Sequence, residues 1–438
     1  MKTSLSLLIV LIYTNVLIAQ TTAIPDANFE QALINLGYDT GTPDGTVPTA
    51  NIDKVSTLEV LGFGISSLVG IEDFAALDSL TFYSTSVQNL DVSKNTALRY
   101  LYCIESQIAS LDLSKNTALT FLNCTENNIT SIDVSNSTSL KVLICGENKL
   151  TSLDVSKNMA LTELDCYDNL ISSIDVTKHS ALKELDCAYN QLTSIDLTKN
   201  IALTQLDCGG NKLTNLDLIS NINLTELRCD YNQLTNINLT KNTALTRLDN
   251  DGNQLTAIDL TKNTALAELR VGSNQLTSLD ITKNIAVWIL DCKNNQLTSL
   301  DLSQNTSMFD LKAQNNPNLI CIEVDDLSSV TQNWVIDSTA SFSTNCSGQG
   351  STAINNVESA VIYSIYPNPT TGIIHIDLEE INTALNTTIR NALGQIISTQ
   401  KFENTDNISL DIEAPKGIYF LTLETEIGES KIIKIIKE

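Results

Sequence analysis

An asparagine recurs every 21 residues through the middle of this chain, at Asn127, Asn148, Asn169, Asn190, Asn211, Asn232, Asn253, Asn274, Asn295 and Asn316. A fixed period over so many copies confines the chain to a repeat architecture, in which each unit buries its apolar side only against its neighbours. One unit reads Leu182-Lys-Glu-Leu185-Asp-Cys187-Ala-Tyr-Asn190-Gln-Leu192-Thr-Ser-Ile195-Asp-Leu197-Thr-Lys-Asn200. The second Leu of each unit falls at Leu58, at Leu80 after one step of 22 residues, and then every 21 residues to Leu311, giving thirteen units. About three are enough for a stable stack.

The alternation in Glu184-Leu185-Asp186-Cys187-Ala188 predicts a short half-buried strand, with Leu185 and Cys187 inward and Glu184, Asp186 and Ala188 outward. Stacked copies then form a parallel sheet. The Asn amide both donates and accepts, so it suits a tight interior turn whose backbone groups would otherwise stay unpaired. A second half-unit, Leu192-x-x-Ile195-Asp-Leu197, ends at another Asn column that includes Asn95, Asn116, Asn158 and Asn200. The convex side is therefore expected to be extended or 3₁₀ rather than long α-helix. No proline lies between Pro48 and Pro317, as a ladder that uses every backbone donor requires.

This pattern resembles the leucine-rich repeat. Over residues 58 to 320 it resembles the secreted bacterial repeat proteins of the internalin-like adhesin kind, although Cys in place of Leu, the 21-residue period and the short convex segment depart from the mammalian-type repeat. The resemblance implies a solenoid that recognises protein or glycan through its concave sheet; the ligand itself does not transfer with a fold.

Cys103, Cys124, Cys145, Cys166, Cys187, Cys208, Cys229 and Cys292 share one column, interrupted by Asn250 and Val271. Metal or redox chemistry is the functional alternative to core filling. Sulfurs held in a row ~4.8 Å apart cannot surround a tetrahedral ion, and no C-x-x-C occurs, so buried free thiols are expected. Cys321 and Cys346 lie outside the column. They are the expected disulfide, closing a loop over the last repeat that the chain-entropy model values at ~3 kcal/mol.

Both ends of such a stack need covering. Asp26 followed by Phe29, Leu33, Leu36 and Gly37 predicts a short capped helix, and Asp44-Gly45 a turn lacking the further oxygens of a calcium loop. Before it, Met1 and Lys2 precede an apolar run from Leu5 to Ile18, read as a cleaved secretory signal rather than a membrane anchor, which needs ~20 apolar residues.

Charge excludes some functions. With 51 Asp+Glu against 26 Lys+Arg and a formal charge of -25, a nucleic-acid surface is not expected. Two histidines, His179 in the second Asn column and His375 near the C-terminus, assemble no triad. A carboxylate-only glycosidase would need a deep pocket that a solenoid face does not offer, so no enzyme is expected. The outward positions Glu163, Asp165, Glu184, Asp186, Asp207, Glu226, Arg228, Asp230, Arg247, Asp249 and Asp251, with Tyr167 beside them, are the candidate ligand-binding face. Two readings apply to it: a solvated acidic surface, or a site for a cationic or calcium-bridged ligand, with Tyr100, Tyr102, Phe121, Tyr189 and Tyr231 contributing. No other cofactor is expected. A second acidic column, including Asp112, Asp154, Asp175, Asp196, Asp259 and Asp280, has Lys three residues later in most units and reads as charge-compensated solubilisation.

Residues 347–360 have the composition of a linker. Beyond them, strand-like runs alternate with turn residues and predict a small β-sandwich. Tyr366-Pro367-Asn368-Pro369, Gly372, the Leu393-Gly394-Gln395 turn, Pro415-Lys-Gly417-Ile-Tyr and a Lys-rich last strand resemble the type A sorting domain of the type IX secretion system of Bacteroidota. That resemblance implies passage through the outer membrane by the type IX machinery, then release or surface attachment. Ile432-Ile433-Lys434-Ile435-Ile436-Lys437 also fits a short amphipathic helix, though a strand is favoured at this length.

The fold expected is thus a mainly β solenoid with a parallel concave sheet and a short helical cap, followed by a small β-sandwich. The segments are 1–19 signal, 20–57 cap, 58–346 solenoid with its disulfide-closed cap, 347–360 linker and 361–438 sorting domain. A surface or matrix component without a discrete ligand is the alternative to a recognition protein.

Overall fold

The repeat needs one residue with a left-handed backbone just before each ladder Asn, and that residue turns the chain out of the strand. Glu147, Asp168, Tyr189 and Tyr231 adopt φ between 47° and 51° there, and Gly210 and Gly252 adopt 61° and 65°. A computed structural model of the chain describes residues 20–62, 64–346, 362–378, 385–391, 394–402, 407–425 and 430–438. The signal and linker segments lie outside the described residues.

Each unit contributes a strand such as Glu163–Asp165, Glu184–Asp186 or Gln205–Asp207. The strands pair parallel in strict register, Leu164 beside Leu185 beside Leu206. They build one 14-stranded sheet. Thirteen of its strands belong to the repeats, and the last, Trp334–Val335, comes from beyond the final repeat and pairs with Leu311 and Lys312. The Leu spacing does not reveal that strand because Trp334 sits outside the repeat register.

The ladder asparagines act on both sides of the turn. Asn190 Nδ2 donates to the carbonyls of Cys166 (2.9 Å), Cys187 (3.3 Å) and Ala188 (3.1 Å), while its Oδ1 accepts from Ile171 N at 2.9 Å. The same pattern recurs at Asn169, Asn211 and Asn232. One side chain thus closes its own turn and bonds the preceding repeat. The second Asn column is fully buried as well: Asn200 Nδ2 bonds the carbonyls of Val176 and His179, both at 2.9 Å, and its Oδ1 has no protein partner. That position demands only a donor. Ser137 Oγ and His179 Nε2, which bonds Val155 O at 3.1 Å, fill it in their own repeats, so His179 is a structural substitute rather than a reactive group.

The core runs unbroken from Ile24 to Trp334 and consists chiefly of Leu, Ile, Val and the Cys column. All eight column cysteines are buried free thiols, and Cys321 and Cys346 are disulfide-bonded. Burial pushes the Cys124 thiol up to about 12. Ala188 departs from its expected outward orientation and is buried. In the same column, Gly146 lies directly under the ring of Tyr167 and Gly209 against the Asp230 carboxylate; larger neighbours cover the small residues of this column.

The convex Asp column is held chiefly by turns, and the lysines that follow add a smaller attraction. Thr177 donates to Asp175 Oδ1 through both N (2.9 Å) and Oγ1 (2.6 Å), and Asp196, Asp259 and Asp280 repeat the arrangement. Their carboxyls are held below the usual range by the Thr hydroxyl first and its amide second. No ion pair among the described residues joins this column to the lysines that follow it.

At the N-terminus, Ala27–Asn35 is a helix capped by Asp26, whose Oδ1 accepts from Asn28 N and Phe29 N and whose Oδ2 ties down Ser66 and Ser67. Gly37, at φ +82°, ends it. The buried Glu30 carboxylate accepts from Asp44 N and Gly45 N, both at 2.7 Å, fixing that turn.

The contacts divide the chain into two compact units, Met1–Phe342 and Ser343–Glu438. The second consists of a three-stranded and a four-stranded antiparallel sheet enclosing Ile374, Ile376, Ile389, Leu421 and Ile435. Its last element, Ser430–Lys437, is a strand paired along Gly417–Thr425, not a helix. Thr370 N and Asn368 Oδ1 both bond Ile436 and so brace the terminal strand, while Tyr419 donates to Pro415 O at 2.5 Å. Among the described residues no helix is long and apolar enough to cross a membrane.

Asn190→Ala is expected to lower the unfolding free energy by about 1–3 kcal/mol, since it removes three donated bonds and leaves the buried Ile171 amide without its acceptor, while the Cys166, Cys187 and Ala188 carbonyls keep Asn169 Nδ2, Asn211 Nδ2 and Asp168 N; chemical denaturation measures it. The column thiols are expected to resist a thiol reagent in the native chain and to react fully on unfolding. Rapid labelling of the folded protein would contradict their burial.

Candidate functional site

Every outward strand position lies beside its counterpart in the next repeat, so side-chain chemistry on the concave face reads as columns. Register places Glu163 beside Glu184, and Asp165 beside Asp186 beside Asp207. A shallow cavity of about 220 Å³ opens over these residues and is lined by Glu163, Asp165, Glu184, Asp186, Gln205, Asp207, Glu226 and Arg228. The remaining expected site residues, Tyr167, Asp230, Arg247, Asp249 and Asp251, do not line it.

One carboxylate oxygen of each aspartate has local work. Asp165 Oδ1 accepts from Tyr167 N, Asp186 Oδ1 from Ala188 N and Asp207 Oδ1 from Gly209 N, at 3.0–3.1 Å. The strand end therefore favours a short side chain with an acceptor oxygen, and Asn123 supplies the same bond to Thr125 N. It does not require a charge. Half-burial penalises the charged form of all three aspartates, and the neighbouring carboxylates add to it, raising their carboxyls; Asp186 reaches about 7. Asp230 and Asp251 reach about 6, again chiefly through desolvation.

From Arg228 onward the face neutralises itself. Arg228 reaches Glu226 (3.0 Å) and Asp207 (3.5 Å), Arg247 reaches Glu226 (3.5 Å) and Glu268 (3.6 Å), and Arg270 reaches Asp249 (3.6 Å). Lys293 closes on Asp291 at 2.6 Å. Among the described residues no ion pair reaches Glu163, Asp165, Glu184 or Asp186, nor Asp230 and Asp251 at the strand-end column. Arg228 and Arg247, both among the expected face residues, and Arg270 stand on three consecutive rungs, each beside an Asp or Glu of the neighbouring strand.

The aromatics divide as well. Tyr167 lies over Gly146 and donates its hydroxyl to Glu147, and the rings of Tyr189 and Tyr231 lie against Gly210 and Gly252. These three fill space left by glycine. Tyr100, Tyr102 and Phe121 stand on the sheet itself, with Tyr102 and Phe121 stacked at 4.5 Å and Arg99 5.5 Å from the Tyr100 ring centre. Sequence reasoning missed Val142 and Ile144 on the next rung, and Trp288 and Phe309 on the rim, which are 40 % and 56 % exposed. The signal was present: Trp288 and Phe309 stand in a column where Thr204, Thr225 and Thr246 occur.

Among the described residues no group of three or more His, Cys, Asp or Glu side chains is arranged to hold a metal ion.

The two acidic sets move stability in opposite directions with pH. Asp186 keeps its proton up to about 7 in the folded chain and releases it near ~3.9 when unfolded. The folded state therefore binds more protons between those values, and the stability this group contributes falls as pH rises through them. The lowered convex aspartates contribute stability above their unfolded value and lose it as pH falls through their folded one. Thermal unfolding of the full chain is expected to peak between about pH 4 and 6. Asp186→Asn, which keeps the turn bond, should flatten the alkaline side, and an unchanged slope would count against the burial of this charge.

Residues 364–438 match the family described as the secretion system C-terminal sorting domain. No curated protein matches the chain. Among solved structures, the functional domain of InlJ from Listeria monocytogenes, described as including a cysteine ladder, is 26% identical with a TM-score of 0.56, over 96% of this chain and 99% of that one. The internalin InlF of the same species is 23% identical at a TM-score of 0.52, over 73% of this chain and 95% of that one. YopM from Yersinia pestis is 17% identical at 0.51, over 73% and 89%; these last two show the fold alone. The column from Cys103 to Cys292 is a cysteine ladder in this chain too. The chain is a secreted or surface-attached protein that carries a secretion sorting domain and a repeat solenoid similar to those of the internalins.

Proposed function

We propose that this is a recognition protein of a Bacteroidota cell surface, exported by the type IX secretion system, whose concave sheet binds an extracellular protein or glycan. On this reading residues 20–57 and the segment closed by Cys321 and Cys346 cap the array, and 361–438 is the sorting domain, removed when the protein is released or attached. No catalytic step is assigned to it.

The observation that carries the reading is the run of unpaired carboxylates at Glu163, Asp165, Glu184 and Asp186. Shared register sets them side by side, and half-burial makes the charges of Glu163, Asp165 and Asp186 costly to the fold, while the turn bond each aspartate makes is equally available to Asn, as Asn123 illustrates. Side chains that work against stability where a neutral one would serve are retained for contact with something else.

The self-paired lattice from Glu226 to Asp291 favours a second reading, a stiff matrix component with no discrete ligand. Binding of the full chain to panels of glycans and extracellular proteins separates the two. Replacing Glu184, Asp186 and Asp207 together by Lys is expected to weaken a genuine interaction at least about tenfold. A panel without a hit, or a hit indifferent to the reversal, would transfer the weight to the matrix reading.

A further inference from the structure

Outward positions of the concave sheet change character along the stack in a definite order. On the strands Tyr100–Ile104, Phe121–Asn123 and Val142–Ile144 they are apolar or aromatic: Tyr100, Tyr102, Phe121, Val142 and Ile144, with Asn123 alone polar. The next rungs carry the unpaired acids Glu163, Asp165, Glu184 and Asp186. After them begins the self-neutralised lattice around Arg228.

The solenoid does not need the apolar sector. On the preceding strand, Ser79–Tyr83, the same two positions hold Ser79 and Thr81, paired directly with Tyr100 and Tyr102; later rungs hold Glu and Asp. All these side chains leave the sheet on its solvent side, while Leu80, Leu101, Leu122 and Leu143 fill the core. A contiguous apolar patch on an otherwise charged surface marks a contact, and the acids bordering it set the charge of what lands there.

We propose that the ligand is a protein segment that lays apolar side chains on the Tyr100, Tyr102, Phe121 and Ile144 sector and places Lys or Arg beside them on Glu184 and Asp186. The rungs beyond Arg228 lie outside its footprint. This names the partner for the concave-face reading above and rests on it. A neutral glycan leaves the unpaired acids without a counterpart, and a simple cation leaves the apolar sector without one. The six rungs from Tyr100 to Asp207 span ~24 Å at the strand spacing, the reach of an extended segment of about seven residues.

The test uses the full chain and three labelled synthetic peptides of about ten residues, followed by fluorescence anisotropy at physiological salt. One joins a Phe/Leu half to a Lys half, the second combines Lys with Ser, and the third joins a Phe/Leu half to a Glu half. The first is expected to bind at least about tenfold more tightly than the second, and the third not to bind. Phe121→Ser and Asp186→Asn should each weaken the first peptide at least about fivefold, while Arg270→Gln stays within about twofold. Tyr100→Ser, which copies Ser79, replaces Phe121→Ser should that variant fail to fold. Equal binding of the first two peptides, or no binding of any, overturns the proposal. Loss on Asp186→Asn without loss on the aromatic variants also overturns it, but leaves a concave acidic site standing. Binding indifferent to every concave variant sinks the concave-face reading along with it.

Discussion

Everything in the array depends on one side-chain amide per repeat. Backbone bonds between repeats continue past each short strand, as from Cys187 N to Asp207 O and Tyr189 N to Gly209 O, but the turn still leaves the Cys carbonyls and the amide two residues after the ladder position without a backbone partner. The ladder Asn answers both needs, since its Nδ2 closes its own turn and reaches the preceding repeat while its Oδ1 accepts an amide from that repeat. Stability in such a stack is a sum of intrinsic and nearest-neighbour terms, and this amide carries much of the neighbour term. The buried thiols and leucines supply bulk between the ladders but no direction.

Because the ladders and the core satisfy the fold, outward positions are free to vary, and their departures from the common unit become informative. Some departures are still structural: Tyr189 and Tyr231 lie against Gly210 and Gly252, so ring and glycine vary together. Others have no packing partner that needs them. Tyr100, Phe121 and Ile144 replace polar residues that neighbouring rungs tolerate, and Glu163, Asp165 and Asp186 keep charges that half-burial resists. A few rungs later the same positions alternate in sign and pair among themselves. The sheet is uniform in backbone and strongly graded in chemistry.

The architecture was legible in the sequence because a 21-residue period is a direct image of the stack. The Asn columns, the thiol column, the capping role of Asp26 and the antiparallel C-terminal unit all follow from periodicity and turn chemistry. Three things were not legible. Trp334 joins the sheet from outside the repeat register, so no Leu spacing announces its strand. The Lys spacing shows the charge compensation of the second acidic column but not the larger contribution, the hydrogen bonds that Thr177 and its equivalents donate to it. The division of the concave face into apolar, acidic and paired sectors needs register across strands, and one repeat read alone cannot give it.

The central claim, that side-chain amides complete at each turn the pairing that the backbone ladder between repeats leaves open, is tested most directly by amide hydrogen exchange on the full chain. The amides of Ile171, Leu192 and Leu213 are accepted by Asn190, Asn211 and Asn232 side chains. They are predicted to exchange as slowly as the strand amides of Leu185 and Leu206, and to be released together with them by Asn211→Ala. Fast exchange at these positions in the intact chain, with the strands still protected, would contradict the account.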